Sequence, residues 1–318
     1  MKFLKTVVGS LPPKKLPIEE AIRWAVDTQL KHRVDIISDG EQRADMIRYF
    51  SVFPGLAVNS KGVYIKSQVS PLDDQKTFSK INDLHFVRNY LDKINQSNID
   101  VKVTVTGPIT LGFACAVKGT GNYRSVGNLD LYLDFAYALN PLIKEIAQTD
   151  CYLQIDEPSL SIGVINPKDS VRIVNEALEG LSSDFSERRL SVHICGQLNG
   201  RLVNEIVKLN TPVLSLAFSA SEVEGNINLL SKTILKENAK KIGVGCVSVQ
   251  ATTKESVEEY DKITKRIEKI ESKIGGERIA YLHPDCGLRD NSEEVANTIL
   301  DRLSSSVTLW MKSKTAYN

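Results

Sequence analysis

The sequence predicts an α/β fold of the (β/α)8 class, the TIM barrel, over its 318 residues. Short runs rich in Val, Ile and Leu alternate with longer amphipathic stretches, which is typical of a parallel sheet with crossover helices. Eight such runs are present, as a closed barrel of about this length requires. Because no low-complexity linker or internal repeat interrupts the pattern, residues 1–318 are expected to form a single domain.

The apolar runs are the predicted strands, and the amphipathic stretches between them are the predicted helices. The strands cover residues 3–8, 34–38, 101–105, 152–155, 190–193, 213–216, 241–247 and 279–282. The helices include residues 17–30, 84–94, 131–146, 171–181, 199–209, 255–273 and 292–303. Residues 55–76 depart from this alternation, because Gly, Val, Tyr and Lys lie between polar turn signals there. That segment predicts a β-hairpin excursion over the barrel mouth.

The composition limits the classes of partner. Lys and Arg number 40 and Asp and Glu 39, so bulk charge gives no reason to expect binding to nucleic acid or to a membrane surface. No apolar run approaches the ~20 residues of a membrane span. The apolar part of residues 1–10 is too brief for a secretory signal and is predicted to be the first strand. Five scattered cysteines fit a reducing compartment. A cytoplasmic location is therefore expected.

His193, Cys195 and Cys286 are the candidate ligands of a zinc ion. At a strand end, residues i and i+2 share one face, so His193 and Cys195 can reach one metal. Taken alone, this pair is better explained as a buried histidine beside an inert cysteine. Cys286, which follows another predicted strand, reverses that preference. Three protein ligands leave one tetrahedral position open, as in a catalytic zinc site, and a thiol substrate could enter it and lose its proton.

Several further polar residues directly follow a predicted strand. In barrels of this class, the active site is built from the C-terminal ends of the strands, so residues distant in sequence converge there. The residues in this position are Ser10, Glu41, residues 106–108, Asp156, Glu157, His193, Cys195, Ser219, Ser221, Ser248, Gln250 and Cys286. Cys115, Cys151 and Cys246 are expected to be buried structural residues. Of these, Cys246 is also a weak candidate for an additional metal ligand.

Glu41 and Asp156 can hold a substrate ammonium group or a cation at such a mouth. The alternative, a carboxylate that caps a helix N-terminus, has equal weight for each one. Gly9 and Ser10 offer backbone amides and a hydroxyl to a substrate carboxylate, although an ordinary turn explains them equally well. Together these groups would bind a sulfur through zinc, an amine through the acids and a carboxylate through the backbone amides. This combination indicates a site for an amino acid that carries a thiol.

At these residues the chain resembles the catalytic barrel of cobalamin-independent methionine synthase, in the short single-barrel form typical of archaea. The resemblance covers nearly the whole length, through segments 8–12, 39–46, 105–108, 154–158, 192–196 and 284–288. It implies a zinc-dependent methyltransferase that methylates L-homocysteine, with Zn²⁺ held by residues matching His193, Cys195 and Cys286. It also implies that Ser10, Glu41 and Asp156 contact the amino-acid part, with the two acids on the ammonium group.

Two departures from the family pattern concern the metal and the methyl donor. The family's additional ligand is a glutamate at the end of strand six, where this chain has Ala217. Either Glu222 or Glu224 substitutes from the loop, or the site is more open. At strand seven, folate-using members carry an Asp-Ile-His-Ser run with a histidine proton donor, and this chain has Gln250 instead. This chain has Gly112 and Phe113 where the family's tryptophan for folate contact is expected.

The second departure bears on the donor, because the folate nitrogen must be protonated to leave. General acid catalysis contributes typically ~10²–10⁴-fold, and a methylated corrinoid would not need it. The expected donor is therefore methylcobalamin or a corrinoid protein, with methyltetrahydrofolate as the alternative. Two rival functions stay open: a zinc methyltransferase for another thiol such as coenzyme M, and a non-catalytic barrel subunit of a methionine synthase complex. Glu41 and Asp156 argue against a thiol that carries a sulfonate, because binding the anionic sulfonate would require cationic residues.

Overall fold

The computed structural model describes residues 3–316 of the chain. Within that range, eight parallel strands form one sheet. Their bounds are β1 Leu4–Lys5, β2 Ile36–Ile37, β5 Asp100–Thr106, β6 Tyr152–Asp156, β7 Leu190–Ile194, β8 Val213–Ala217, β9 Lys241–Val247 and β10 Ile279–Pro284. Their order in the sheet is β1-β10-β9-β8-β7-β6-β5-β2. Two further strands, β3 Leu56–Asn59 and β4 Gly62–Ile65, form a separate antiparallel pair.

The sheet closes on itself between its two shortest strands. Thr6, just after β1, forms a parallel bridge with Ile36 of β2, and the Thr6 hydroxyl donates to the Ile36 carbonyl at 2.7 Å. The Asp35 amide donates to the Lys5 carbonyl at 2.9 Å. The predicted (β/α)8 barrel is therefore confirmed, with its first and second strands joined by only a few bonds.

The helices lie between the strands along the chain. They are α1 Ile18–Lys31, α2 Ser79–Lys93, α3 Pro108–Ala116, α4 Leu129–Ala147, α5 Ser159–Ile162, α6 Pro167–Ala177, α7 Ser183–Arg189, α8 Gly200–Ile206, α9 Lys232–Glu237, α10 Tyr260–Ile274 and α11 Glu293–Ala316. In α10 every buried side chain is an isoleucine three or four residues from the next, so one stripe faces the barrel. Side-chain oxygens that accept from the first turn begin α4, α6, α8 and α9 at Asn128, Asn166, Asn199 and Ser231.

The hairpin excursion is confirmed, although it is shorter than predicted. β3 and β4 occupy the connection between β2 and α2, and Ile65 forms a parallel bridge with Thr120 beyond the end of α3. The rest of the predicted segment 55–76 contains bends and the start of a 3-10 turn at Gln75–Thr77 rather than strand. The Asp74 carboxylate accepts from the Lys76 amide at 3.0 Å and holds that turn.

Several predicted boundaries are wrong, and the differences have local causes. The first two strands shrink to two residues each, because only those residues take part in the ladder. Helix α2 begins at Ser79 rather than at residue 84. Helix α11 continues past residue 303 to Ala316, because Val307 and Trp310 extend its buried stripe. Helices α3, α5, α7 and α9 were not among the predicted elements.

Among the described residues, no helix is both long and apolar enough to cross a membrane.

Candidate metal and substrate site

A cavity of about 180 Å³ opens at the C-terminal ends of the strands. The residues that line it come from the ends of β1, β2, β6, β7 and β10 and from the loops that follow them. They are Val8, Gly9, Ser10, Glu41, Asp45, Met46, Asp156, Pro158, His193, Cys195, Cys286, Gly287, Arg289 and Asp290. The residues predicted to bind the metal or the substrate are all among them, as the barrel topology leads us to expect: Gly9, Ser10, Glu41, Asp156, His193, Cys195 and Cys286.

His193, Cys195 and Cys286 bring one imidazole and two thiols together at this mouth. Their ligand atoms all lie within 4.8 Å of one another. His193 lies in β7 and Cys195 directly follows that strand, whereas Cys286 follows β10 two residues after its end. Nitrogen and thiolate sulfur are the ligand atoms that zinc prefers, and three of them leave a fourth position for substrate.

The His193 ring is held at one nitrogen and unpartnered at the other. Its Nδ1 lies 3.0 Å from the Ser215 hydroxyl on the neighbouring strand β8. Its Nε2 is buried and has no hydrogen-bond partner among the described residues. A buried polar atom without a partner costs free energy unless something binds it. This unpartnered nitrogen and the two nearby thiols fit a metal ion.

The two thiols are unequal in the metal-free protein. A hydrogen bond from the Cys195 thiol, together with the nearby His193, holds the pKa of Cys286 well below its usual range. The same bond, with burial, raises the pKa of Cys195. Cys286 is therefore the thiol that ionises first, and it is the natural first sulfur ligand because thiolates rather than thiols bind metals.

The position of the family's glutamate ligand is apolar here. Ala217 is buried with Ala220 and Val223, and Cys195 packs against this group. Glu222 is exposed, and its carboxylate accepts from the Gln250 amide. Glu224 is exposed at the start of a 3-10 turn, and neither glutamate belongs to the cluster of potential ligands found among the described residues. The arrangement matches the more open of the two expected metal sites.

Asp156 ends β6 and points its carboxylate into a buried environment. The residue is 7% exposed, and its Oδ1 accepts from the Gln154 amide at 2.7 Å. Burial raises the pKa of Asp156 to about 7, against the opposing effect of His193. A substrate ammonium group placed beside it would favour the charged form.

Glu41 is already paired, which the sequence did not predict. Its Oε1 accepts from the Lys80 ammonium at 2.7 Å and from the Thr104 hydroxyl at 2.9 Å. Lys80 is buried on α2, and its charge offsets that of Glu41. Glu41 follows Gly40, and the two have positive φ values of 50° and 70°. This tight turn after β2 aims the Glu41 side chain inward at a conformational cost.

Glu157, next to Asp156, has a structural role rather than a place in the cavity. Its carboxylate accepts from the amides of Ile109 and Thr110 at 2.9 Å each and from the Thr110 hydroxyl at 2.7 Å. It therefore caps the N-terminus of α3. Of the two roles expected for strand-end carboxylates, the helix cap describes Glu157, whereas Asp156 and Glu41 line the cavity.

Gly9 and Ser10 present backbone amides at the cavity wall. A Cβ on Gly9 would lie 2.8 Å from Thr104 Cγ2, so only glycine allows the chain to pass there. Gly287 packs as closely on Ser10, because a Cβ at Gly287 would lie 2.2 Å from the Ser10 hydroxyl. The Gly9 and Ser10 amides donate to no acceptor among the described residues. They remain available to an anionic group.

Asp285 fixes the loop that carries Cys286. Its carboxylate accepts from the amides of Phe218, Ser219 and Ala220 at 2.8–3.1 Å, and so ties the end of β10 to the loop after β8. The sequence indicated this segment only as part of a motif. Its burial beside the ligand and its three backbone donors identify it as a positioning residue.

Some expectations about the mouth were incomplete. Arg289, which was not predicted, lines the cavity and donates to the Glu41 and Ala44 carbonyls at 3.1 and 3.2 Å. Its place directly after the Cys286 motif was the available signal. Cavity residues that were not singled out are Val8, Asp45, Met46, Pro158, Gly287, Arg289 and Asp290. Predicted strand-end residues that do not line the cavity are residues 106–108, Glu157, Ser219, Ser221, Ser248 and Gln250. Cys115, Cys151 and Cys246 are buried elsewhere.

Comparisons with known proteins agree with this geometry. A sequence model of the family described as "Cobalamin-independent synthase, Catalytic domain" matches residues 3–307. A methionine synthase from Methanothermobacter marburgensis is 30% identical and covers 92% of this chain and 96% of the relative. Another, from Methanocaldococcus jannaschii, is 28% identical over 90% of this chain and 86% of the relative.

A solved structure is similar over the whole barrel. It is a B12-independent methionine synthase from Shewanella sp. W3-18-1 in complex with selenomethionine, with a TM-score of 0.77, 21% identity, and coverage of 99% of this chain and 100% of that chain. At this level of identity the likeness shows a shared fold.

Proposed function

The chain belongs to the cobalamin-independent methionine synthase family, and we propose that it transfers a methyl group to the thiol of L-homocysteine. The single observation that carries this proposal is the group of His193, Cys195 and Cys286, whose ligand atoms lie within 4.8 Å of one another beside an unpartnered His193 Nε2. These atoms fit a zinc ion. When bound, zinc supplies a lowered thiol pKa and a fixed position for the sulfur nucleophile.

The amino-acid part of the substrate matches the rest of the cavity. Asp156 and the free Oε2 of Glu41 offer negative charge to the ammonium group, and the Gly9 and Ser10 amides offer donors to the carboxylate. Because Lys80 offsets the charge of Glu41, Asp156 is assigned the larger share of the ammonium binding. A thiol with a sulfonate instead of an amino acid would place its anion against these carboxylates.

The reaction balances with few protein groups. The S–CH₃ bond forms from a sulfur electron pair as the bond from methyl to donor breaks, and the donor leaves with the electron pair of that bond. The thiol proton passes to solvent before the attack. The cavity holds the sulfur near His193, Cys195 and Cys286, and its wall includes the buried His193 and Asp156, which limits water around the nucleophile. Holding the reacting atoms in line contributes much of the acceleration in such transfers.

The donor is proposed to be a methylated corrinoid. Gln250, at the position of the folate enzymes' histidine, is exposed and bonded to Glu222, and its amide cannot donate a proton as an acid. Among the described residues that line the cavity, His193 is the sole histidine, and it is assigned to the metal. Methyltetrahydrofolate needs an acid at its leaving nitrogen, whereas a methylcorrinoid does not.

The proposal is tested by methionine formation from L-homocysteine with zinc-loaded protein, with methylcobalamin and methyltetrahydrofolate as parallel donors. Methionine from the corrinoid alone is the expected result. Turnover with folate alone would overturn the donor assignment and leave homocysteine methylation standing. No methionine from either donor, together with methylation of coenzyme M, would overturn the substrate assignment.

A further inference from the structure

A chain of hydrogen bonds lies behind the candidate metal site. His193 Nδ1 lies 3.0 Å from the Ser215 hydroxyl, and the same hydroxyl lies 3.0 Å from His283 Nε2. His283 Nδ1 in turn lies 2.6 Å from the carbonyl oxygen of Pro284. All three side chains belong to buried residues, with exposures of 2% or less.

The direction of each bond follows from the ends of the chain. The Pro284 carbonyl can only accept, so His283 Nδ1 carries a hydrogen. His283 is 1% exposed, and its ring is bonded to a hydroxyl and a carbonyl rather than to a carboxylate. A buried cation without a counter-charge is costly, so the ring is neutral and its Nε2 accepts from Ser215. Ser215 has a single hydrogen, and it therefore accepts from His193 Nδ1.

This direction of the hydrogen bonds determines which ring nitrogen of His193 carries a hydrogen. With a hydrogen held on Nδ1, Nε2 is the ring nitrogen left to bind a metal ion, and it is the atom that is buried and unpartnered among the described residues. We infer that Ser215 and His283 are positioning residues that fix His193 in the tautomer whose Nε2 can bind a metal ion. This inference rests on the metal site proposed above and assigns roles to two residues outside it.

If these hydrogen bonds ran in the opposite direction, His193 could not bind a metal ion through Nε2. If His283 were a cation, both of its nitrogens would donate, and Ser215 would accept from His283 and donate to His193 Nδ1. A neutral His193 would then carry its hydrogen on Nε2, facing the two thiols. Burial lowers the pKa of His283 to about 3, with His193 adding to the effect, in agreement with the neutral ring.

Two glycines allow the chain of bonds to form. Ser215 lies on β8 and His283 on β10, with β9 between them. In register, Gly243 of β9 lies beside Ser215 and Gly245 lies beside His283. A Cβ on Gly243 would lie 2.3 Å from the Tyr281 ring, and one on Gly245 would lie 2.7 Å from Asp285 Oδ1. Because β9 has no side chain at these two positions, the side chains of its neighbours meet across it.

A direct test reads the tautomer of His193 in the zinc-free protein. Long-range proton–nitrogen correlation spectra of protein with ¹⁵N-labelled histidine distinguish the two neutral tautomers and the cation, and a His193→Gln variant assigns the signal. The expected spectrum shows a hydrogen on His193 Nδ1 and a neutral His283. A His193 Nδ1 without a hydrogen, or a cationic His283, would overturn the inference.

Zinc affinity provides the second test, with a matched control. Mutation of a residue that hydrogen-bonds a metal ligand typically lowers metal affinity by about 10–100-fold. Ser215→Ala should therefore weaken zinc binding by that factor in a chelator competition. Ser191→Ala is the control, because Ser191 is a buried serine two residues before His193 whose hydroxyl bonds the Leu153 carbonyl instead. It should bind zinc about as the unmodified protein does.

The outcomes separate this inference from the proposed function. Equal zinc affinity of the Ser215→Ala and Ser191→Ala proteins would overturn the inference and leave the metal site intact. Failure of the unmodified protein to bind zinc would overturn the metal site, and the tautomer spectrum of the zinc-free protein still decides the roles of Ser215 and His283. If Ser215→Ala does not fold, the spectrum of the unmodified protein decides between the two directions of the hydrogen bonds.

Discussion

Three candidate metal-binding side chains at the barrel mouth come from two distant parts of the chain, and the sequence predicted that they lie together. His193 and Cys195 were predicted from their spacing and Cys286 from its position after the eighth predicted strand, and their ligand atoms lie within 4.8 Å of one another. The residues that support them were missed. Ser215 and Asp285 act through hydrogen bonds across neighbouring strands, and no local pattern in the sequence reports such contacts.

Replacing Cys286 tests the ligand set. Cys286→Ser should lower both zinc content and methyl-transfer activity, because serine does not supply the thiolate that zinc prefers. Metal content and turnover are measured on the same preparation. Cys246→Ser is the matched control: Cys246 is buried at the end of β9 and outside the ligand cluster, so it should retain stoichiometric zinc. Full zinc content in Cys286→Ser would contradict the assignment of Cys286 as a ligand.

The pH dependence of amino-acid binding tests Asp156. Burial raises the pKa of Asp156 to about 7, so the carboxylate gains its charge as the pH rises through that value. Methionine keeps its ammonium charge throughout and has no thiol, so its affinity for the zinc-free protein should rise about tenfold from pH 6 to pH 8. Titration calorimetry measures this affinity, and Asp156→Asn should bind weakly at both pH values. An unmodified protein with flat affinity would argue against Asp156 as the ammonium partner.

Among the secondary-structure elements, the predicted strands and long helices were largely recovered, and the short helices were not. Strong apolar runs identify β5 to β10, because parallel barrel strands are buried on both faces. Helix α3 escaped prediction because its apolar residues follow a glycine and a proline that resemble a turn. The N-terminus of α3 is capped by Glu157, which comes from a different strand end, a contact invisible in the local sequence.

That cap gives a prediction about stability. Glu157→Ala should lower the free energy of unfolding by about 2–4 kcal/mol, because it leaves two buried amides and the Thr110 hydroxyl without their acceptor. Glu157→Gln, which keeps an acceptor oxygen, should cost less. Denaturant unfolding measures both. Equal stability of the Ala variant and the unmodified protein would show that α3 does not depend on this cap.

For the whole molecule, the barrel explains why distant residues form one site. The chain packs its helices around the sheet, and the ends of five strands, β1, β2, β6, β7 and β10, bring residues to the same cavity. Fold class followed from the alternation of apolar runs. The closing contacts between Thr6 and Ile36 and the pairing of Glu41 with Lys80 depend on tertiary packing, and so they became visible only in three dimensions.

Zinc binding should stabilise the molecule without being required for its fold. The ligands lie at the mouth, whereas the buried core is continuous through the barrel and helices. A ligand that binds only the folded state at a thousand times its Kd adds about 4 kcal/mol, so zinc should raise the Tm by several degrees. Circular dichroism should show the same helix and strand content with and without zinc. Loss of secondary structure on chelation would contradict this separation.

The most direct test of the central claim is the coordination of zinc before and after homocysteine is added, measured by X-ray absorption at the zinc edge. If the substrate thiol enters the open position beside His193, Cys195 and Cys286, the sulfur coordination should rise by one zinc–sulfur contact of about 2.3 Å. A spectrum unchanged by saturating homocysteine, with zinc bound stoichiometrically, would contradict thiol activation at this metal site.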